Sequence, residues 1–291
     1  MDYTLNVKGR LMSLSEPRVM GIINVTPDSF FADSRRQTQE TIAQRVRQMV
    51  ADGADIIDVG ACSTRPGAAL VSTDDEVSRL RLALPVVRTE APATPLSIDT
   101  FRPDVARMAV EEYGADIIND VQAPASLGPQ PSTPTTQPPL LAMYRMVSRL
   151  GVPYVLMASQ PTIRDMLLWF AKQVQLLRDM GQKDIILDPG FGFGKTLQTT
   201  TDGQGYACTD TNYDVMSHLE QLLVMQLPLL VGVSRKSMIC RLLGTTPDGA
   251  LNGTTVLNTM ALLKGASILR VHDVREAVEC VKIFKQIRSG E

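Results

Sequence analysis

Eight short apolar runs punctuate the 291-residue chain: Val19–Val25, Ile56–Ala61, Pro95–Thr100, Ile117–Val121, Pro153–Ala158, Ile185–Gly190, Leu229–Ser234 and Ser267–His272. Each is apolar almost without polar alternation, the pattern of strands buried on both faces of a parallel sheet. Between them apolar residues return every three or four positions, as in Ile42, Val46, Met49, Val50 and in Val77, Leu80, Leu84, Val87. The same spacing recurs from Ile163 to Leu177 and from Val274 to Phe284, and predicts helices that lay one apolar stripe on a sheet. Thr73-Asp74-Asp75-Glu76 reads as a capping box before the second helix. Eight β-then-α units can close as a (β/α)8 barrel or lie open as a doubly wound sheet. The count of eight, the regular unit and the lack of a Gly-x-Gly-x-x-Gly turn in the first unit all favour a single-domain (β/α)8 TIM barrel over residues 19–291. Residues 1–18 read as a short lead-in. Polar stretches near 122–139 and 198–211 read as loop insertions over the top of the barrel.

Composition changes this picture only by exclusion. With 29 basic and 31 acidic residues the formal charge is −2, unlike a binder of nucleic-acid backbones. No run reaches the roughly 18 apolar residues of a membrane span. The first residues lack a charged, then apolar, export signal, and the four cysteines form no Cys-x-x-Cys pair. A cytoplasmic location with reduced thiols is the expectation. Only two histidines are present, so a zinc site of the His/Cys kind is not expected.

The chemistry is read from the strand ends. A buried strand has no structural need for polar side chains at its C-terminus, yet seven of the eight runs deliver them. These include Asn24, Ser63-Thr64-Arg65, Asp99, Asn119-Asp120, Asp188, Ser234-Arg235-Lys236-Ser237, and Arg270 with His272-Asp273. In a barrel these ends meet on one face, where such folds place their active sites. Asp99, Asp188 and Asn119 suit a ligand with a planar edge of N–H donors. Arg65, Arg270, His272, Ser63 and Thr64 suit a phosphate. Asn24 offers an oxygen to Mg²⁺, which commonly keeps waters and substrate phosphates in its shell. Taken singly, Asp28, Asp120 and Asp273 read as helix caps or loop residues, and Asp188 could be a turn former before Pro189. Gly190-Phe191-Gly192-Phe193-Gly194-Lys195-Thr196 fits neither a Walker A loop nor a dinucleotide turn.

Together these motifs resemble the dihydropteroate synthase family, the sulfonamide target of folate biosynthesis. The matching segments are Gly21-Ile22-Ile23-Asn24-Val25-Thr26-Pro27-Asp28-Ser29-Phe30, Ser63-Thr64-Arg65-Pro66-Gly67, Ser97-Ile98-Asp99-Thr100, Ile118-Asn119-Asp120-Val121, Asp188 through Lys195, Gly232-Val233-Ser234-Arg235-Lys236 and Arg270-Val271-His272-Asp273-Val274. The resemblance implies a transferase that joins 6-hydroxymethyl-7,8-dihydropterin diphosphate to 4-aminobenzoate and releases diphosphate, with Mg²⁺, by a dissociative route. It implies a pterin site of Asp99, Asn119, Met157, Asp188, Phe193, Gly232, Lys236 and Arg270, with Asp99, Lys236 and Arg270 closest to catalysis. It further implies diphosphate contacts from Asn24, Arg65, Arg270 and His272, metal ligation by Asn24, and an aminobenzoate pocket of Phe30, Thr64, Pro66 and Ser237. A homodimer and inhibition by sulfonamides follow from the same resemblance. The chain departs from the family pattern at Ala158, where a histidine is usual, at Ala61-Cys62, at Ala32-Asp33-Ser34, and in its two polar insertions. Two other readings stay open at this point. One is a methyltetrahydrofolate-binding methyltransferase domain, which would have no use for the anion set. The other is a non-catalytic pterin-binding paralogue.

Overall fold

All eight apolar runs form strands of one parallel sheet in a computed structural model that describes residues 3–25, 35–62, 71–121, 139–193, 197–202 and 205–289. In chain order the barrel strands are β3 (Arg18–Asn24), β4 (Ile56–Gly60), β5 (Leu96–Asp99), β6 (Ile117–Asp120), β7 (Tyr154–Met157), β8 (Ile185–Asp188), β11 (Leu230–Val231) and β12 (Ile268–Val271). Each neighbours the next, and β12 returns to β3. A parallel bridge between Leu187 and Leu229 joins β8 to the β11 segment and completes the ring. The helices α1 (Arg35–Asp52), α2 (Thr73–Glu90), α3 (Pro103–Tyr113), α4 (Pro139–Leu150), α5 (Ile163–Asp179) and α9 (Val274–Arg288) follow their strands. Units six and seven are more broken: α6 (Thr211–Ser217) runs into a 3-10 turn at Leu219–Met225, and α7 (Ser237–Leu243) precedes α8 (Leu251–Leu263). The architecture is a (β/α)8 barrel.

The β11 strand is shorter than the Leu229–Ser234 run predicts, because Arg235 takes a left-handed conformation (φ 54°) and turns the chain toward α7. The α2 cap also lies one residue earlier than expected: Ser72 accepts from the Asp75 amide at 3.1 Å and donates to its carboxylate at 2.7 Å. Glu76 is thereby released from the cap and is fully buried.

Two regions hold strands where none was expected. Residues 3–18 are no passive lead-in: β1 (Thr4–Val7) and β2 (Arg10–Ser13) form an antiparallel hairpin around Lys8 and Gly9, both at positive φ. Leu5 and Val7 point from it, with Leu14, into a cluster with Met20, Ile56, Ile117, Val155, Ile186, Leu230 and Ile268. These seven are the inward residues at the N-terminal end of the strands, so the hairpin plugs the barrel floor. The insertion near 198–211 carries a second hairpin, β9 (Leu197–Asp202) with β10 (Gly205–Asp210). Its β-branched run Thr199-Thr200-Thr201 suits a strand, a signal that polar composition conceals. Of the insertion near 122–139, residues 122–138 lie outside the described residues.

Candidate active site

Strand side chains alternate faces, so the residues two beyond the floor layer also point inward. Stepping up two positions from Met20, Ile56, Ser97, Ile117, Val155, Ile186, Leu230 and Ile268 gives Ile22, Asp58, Asp99, Asn119, Met157, Asp188, Gly232 and Arg270. An apolar floor thus changes within one pleat into a ring of charged and polar groups. Six of the eight predicted pterin residues stand in that ring, all buried or, in the case of Arg270, half-buried.

Arg270 organises one side of the ring. Its Nε donates to Asp58 Oδ2 at 2.7 Å and its Nη2 to Asp99 Oδ2 at 2.5 Å. Asn119 Nδ2 donates to the same Asp58 oxygen at 3.1 Å. Burial raises the Asp99 carboxyl to about 7; Arg270 opposes the shift, while Asp58, Glu76 and Asp120 reinforce it. Arg270 is itself pushed up, because the attraction of Asp58 and Asp99 outweighs the cost of burying it.

Lys236 approaches from the opposite side, at the N-cap of α7. Its ammonium donates to the Phe191 carbonyl and lies 4.8 Å from the Phe193 ring centroid. Burial lowers it to about 8, against the pull of Asp188 and Asp99. Asp188 uses Oδ1 to accept from the Gly190 amide at 2.7 Å, so the turn-former reading holds beside the site reading. Gly190 has φ 64°, and a Cβ there would stand 2.0 Å from the Ala158 carbonyl oxygen. That close approach fixes the Gly-Phe-Gly-Phe turn, which Asn212 braces by accepting from the Gly192 amide at 2.7 Å. At Gly232, by contrast, a Cβ would make only ordinary contacts, 3.7 Å to Arg270. Packing against the described residues therefore does not by itself demand glycine there.

The next inward positions form the rim. Asn24, exposed at the end of β3, and His272, half-buried beyond β12, lie on adjacent strands. Ser234 accepts from the His272 amide at 3.1 Å and meets its Nδ1 at 3.0 Å. With the hydroxyl donating to Nδ1, the neutral ring carries its proton on Nε2. Ser237 is exposed at the first residue of α7, and no hydrogen bond joins it or Asn24 to the ring among the described residues. Phe30, Thr64, Arg65 and Pro66 lie outside the described residues. Asp273 is no side-chain cap: it pairs bidentately with Arg235 at 2.8 Å, tying the seventh loop to the eighth. Asp120 is likewise not a cap, but a buried acceptor for Tyr154 Oη at 2.6 Å.

Sequence reasoning missed Asp58 and Asn212 as site residues, and it placed Ser234 among the strand-end polar groups without its tie to His272. Asp58 sits inside an apolar run, and only its offset of two from Ile56 marks it as inward.

Comparison with known proteins agrees with this geometry. The family model for "Pterin binding enzyme" matches residues 20–272. Dihydropteroate synthase from Escherichia coli K12 is 36% identical, with 99% of this chain and 97% of that protein covered. The chain belongs to the dihydropteroate synthase family. The structure of the Xanthomonas albilineans dihydropteroate synthase with 4-aminobenzoic acid superposes with a TM-score of 0.80 at 33% identity, covering 99% of each chain. The Yersinia pestis dihydropteroate synthase, solved as a sulfonamide drug complex, gives 0.79 at 35% identity over 99% of this chain and all of that one. Members of the dihydropteroate synthase family are folate-pathway transferases, which accounts for a ring that mixes planar hydrogen-bonding groups with cations.

Proposed function

We propose that the polar ring above the barrel floor binds 6-hydroxymethyl-7,8-dihydropterin diphosphate and that the chain joins it to 4-aminobenzoate, forming 7,8-dihydropteroate and diphosphate. The observation that carries this reading is the inward ring that brings the buried Asp99, Asn119 and Asp188 to one level of the barrel with the half-buried cations Lys236 and Arg270, Asp58 bridging Asn119 and Arg270 beneath them. Asp188 and Asn119 would accept from the amino-pyrimidinone edge, and Asp99 from a further ring nitrogen. Lys236 would donate to the carbonyl and N5 side. Met157, Phe193, Gly232 and the Arg270 plane would cover the ring faces.

The leaving group would meet Arg270, His272 and Arg65 at the rim. Loss of diphosphate leaves positive charge on the exocyclic methylene, conjugated with the ring. The buried carboxylates Asp99 and Asp188 stabilise that charge where water is excluded, which is electrostatic preorganisation. The arylamine nitrogen then forms the new C–N bond and sheds a proton. No covalent nucleophile is required, and burial pushes the nearby Cys62 thiol up, away from nucleophilic use. Phe30, Thr64, Pro66 and Ser237 would hold the aminobenzoate.

Among the described residues no group of three His, Cys, Asp or Glu could hold a metal. The one neutral oxygen ligand of Asn24 therefore fits Mg²⁺ only in the manner of sites completed by substrate phosphates and water. Bound there, Mg²⁺ would neutralise charge on the departing diphosphate.

A homodimer is supported by the apolar side chains exposed together on α7 (Leu242, Leu243), α8 (Val256, Met260, Leu263) and α9 (Ile283, Ile287). Light scattering showing a monomer at micromolar concentration would remove that part. No helix among the described residues is long and apolar enough to cross a membrane. Sulfonamides should compete with 4-aminobenzoate. The deciding test is a coupled assay for diphosphate release with Mg²⁺. Release that depends on both substrates is expected, and its absence would refute the assignment.

A further inference from the structure

We propose that Asp58 is a positioning residue that fixes the orientation of the Asn119 amide, so that Asn119 offers its oxygen, not its NH2, to the pterin edge. This deepens the reading above and rests on Asn119 facing the pterin. Both side chains are fully buried and point inward, from β4 and β6, reaching each other across the intervening β5 that carries Asp99. Asp58 Oδ2 receives two donors, Asn119 Nδ2 at 3.1 Å and Arg270 Nε at 2.7 Å, and stands in an ion pair 2.6 Å from Arg270 Nη2, whose own hydrogen bond goes to Asp99. Arg270 holds that oxygen in place as an acceptor. A flipped Asn119 amide would then set its carbonyl oxygen against a carboxylate oxygen, a repulsive contact in a dry site. The NH2 must therefore face Asp58.

The consequence falls on the other half of the amide. Asn119 Oδ1 is buried and has no hydrogen-bond partner among the described residues. A buried acceptor left unpaired is destabilising, so it is retained where a ligand donor satisfies it. The N–H groups along an amino-pyrimidinone edge are such donors. Without the Asp58 oxygen, the freed Arg270 guanidinium would draw the amide oxygen toward itself, and the form that presents NH2 to those donors and is unable to bind would outnumber the competent one by about tenfold. Asp58 thus acts without touching the pterin through this bond.

The inference separates from a general electrostatic role through the choice of substituent. Asp58→Asn keeps an oxygen that Arg270 holds at the Oδ2 position, so the Asn119 orientation survives. Asp58→Ala removes the acceptor. Asp58→Ala combined with Asn119→Asp restores an acceptor whichever way the side chain turns, because both atoms of a carboxylate accept.

Calorimetric binding of 7,8-dihydropteroate to the full-length chain reads all of these. Asp58→Ala should weaken binding at least about tenfold, Asp58→Asn should stay within about threefold, and the double variant should bind more tightly than Asp58→Ala alone. Unchanged affinity in Asp58→Ala, equal loss in Asp58→Asn and Asp58→Ala, or a double variant no tighter than Asp58→Ala would each overturn the proposal. Asn119→Ala tests the underlying reading on its own. If Asn119→Ala leaves affinity unchanged, Asn119 does not face the pterin; if it weakens binding while Asp58→Ala does not, only the orienting role fails. Thermal unfolding of Asp58→Asn near the wild-type midpoint, with affinity as weak as in Asp58→Ala, would show that charge and not orientation matters.

Discussion

At the end of β8 the Asp188 carboxylate spends one oxygen on the Gly190 amide and sits in the field of the Lys236 ammonium. Its removal therefore takes a counter-charge from a half-buried lysine already lowered to about 8 and, on the proposed function, would also take the charged acceptor from the pterin edge. Charge-assisted hydrogen bonds are worth roughly 1.5–3 kcal/mol each, so two of them imply at least a hundredfold in affinity. Asp188→Ala should raise the dissociation constant for 7,8-dihydropteroate by about that factor or more, read by calorimetry. Affinity within a few-fold of wild type would reassign Asp188 to the turn alone. The pairing of Asp188 with Asn119 and Asp99 was legible in the sequence because each stands at the end of an apolar run, where a polar residue is conspicuous. Asp58 was not, because it lies within its run, and a run buried on both faces conceals which residues point inward. The tie of Ser234 was hidden differently: its hydroxyl serves the His272 ring across 38 residues of sequence, and no spacing rule connects them.

At the scale of elements, the eight strands and their helices followed from periodicity, since a strand buried on both faces and a one-sided helix have different repeats. The two hairpins did not. In β1 only Leu5 and Val7 are buried, and β2 presents little buried surface, so the run is too short and too mixed to stand out. Its contribution lies in where those two side chains go. Leu5 is fully buried against the floor layer, and Leu5→Ala should cost about 2–5 kcal/mol in chemical denaturation. The Michaelis constants should hold, because the floor lies one pleat below the ring. A shift in either constant without loss of stability would contradict the plug. A second element-scale device joins α2 to the loop it follows. Glu76, fully buried, accepts from Thr100 Oγ1 at 2.7 Å and pairs with Arg102, whose Nη2 donates to the Val71 carbonyl at 2.6 Å. Arg79, on the same helix, donates to the Ala61 carbonyl at 2.9 Å. Both stumps of the segment carrying Thr64, Arg65 and Pro66 are thus tied to buried charges. Removing one partner of a buried pair costs roughly 3–5 kcal/mol, so Glu76→Ala should lower the melting temperature by on the order of 10 °C. A melting temperature unchanged in calorimetric scans would show the pair to be dispensable.

Across the whole molecule, the active-site ring opposes the stability of the barrel that carries it, and the conflict has a definite pH signature. Asp99 stands at about 7 in the folded chain against an ordinary value of 3.8. Between those values the folded state holds a proton that the unfolded chain has lost, so stability falls as pH rises through the window. Lys236 stands at about 8 against an ordinary 10.5. Between 8 and 10.5 the unfolded chain holds the proton that the folded state has lost, so stability rises with pH there. The two groups together place a trough at pH 7–8, where both are charged in the folded protein and both are held against the cost of burial. On the proposed function that is the state in which the carboxylate would stabilise a cation and the ammonium would donate to a ring carbonyl, so the destabilised form would be the working one. Asp99→Asn removes the first titration and leaves the remaining groups in place. The difference in melting temperature, variant minus wild type, should therefore grow steadily from pH 4 to pH 7. Lys236→Met should show the complementary pattern, its advantage over wild type shrinking from pH 8 to pH 10.5. Subtracting wild type cancels the titrations common to both proteins, and differences that stay flat across both windows would mean that neither group carries the shift its burial implies.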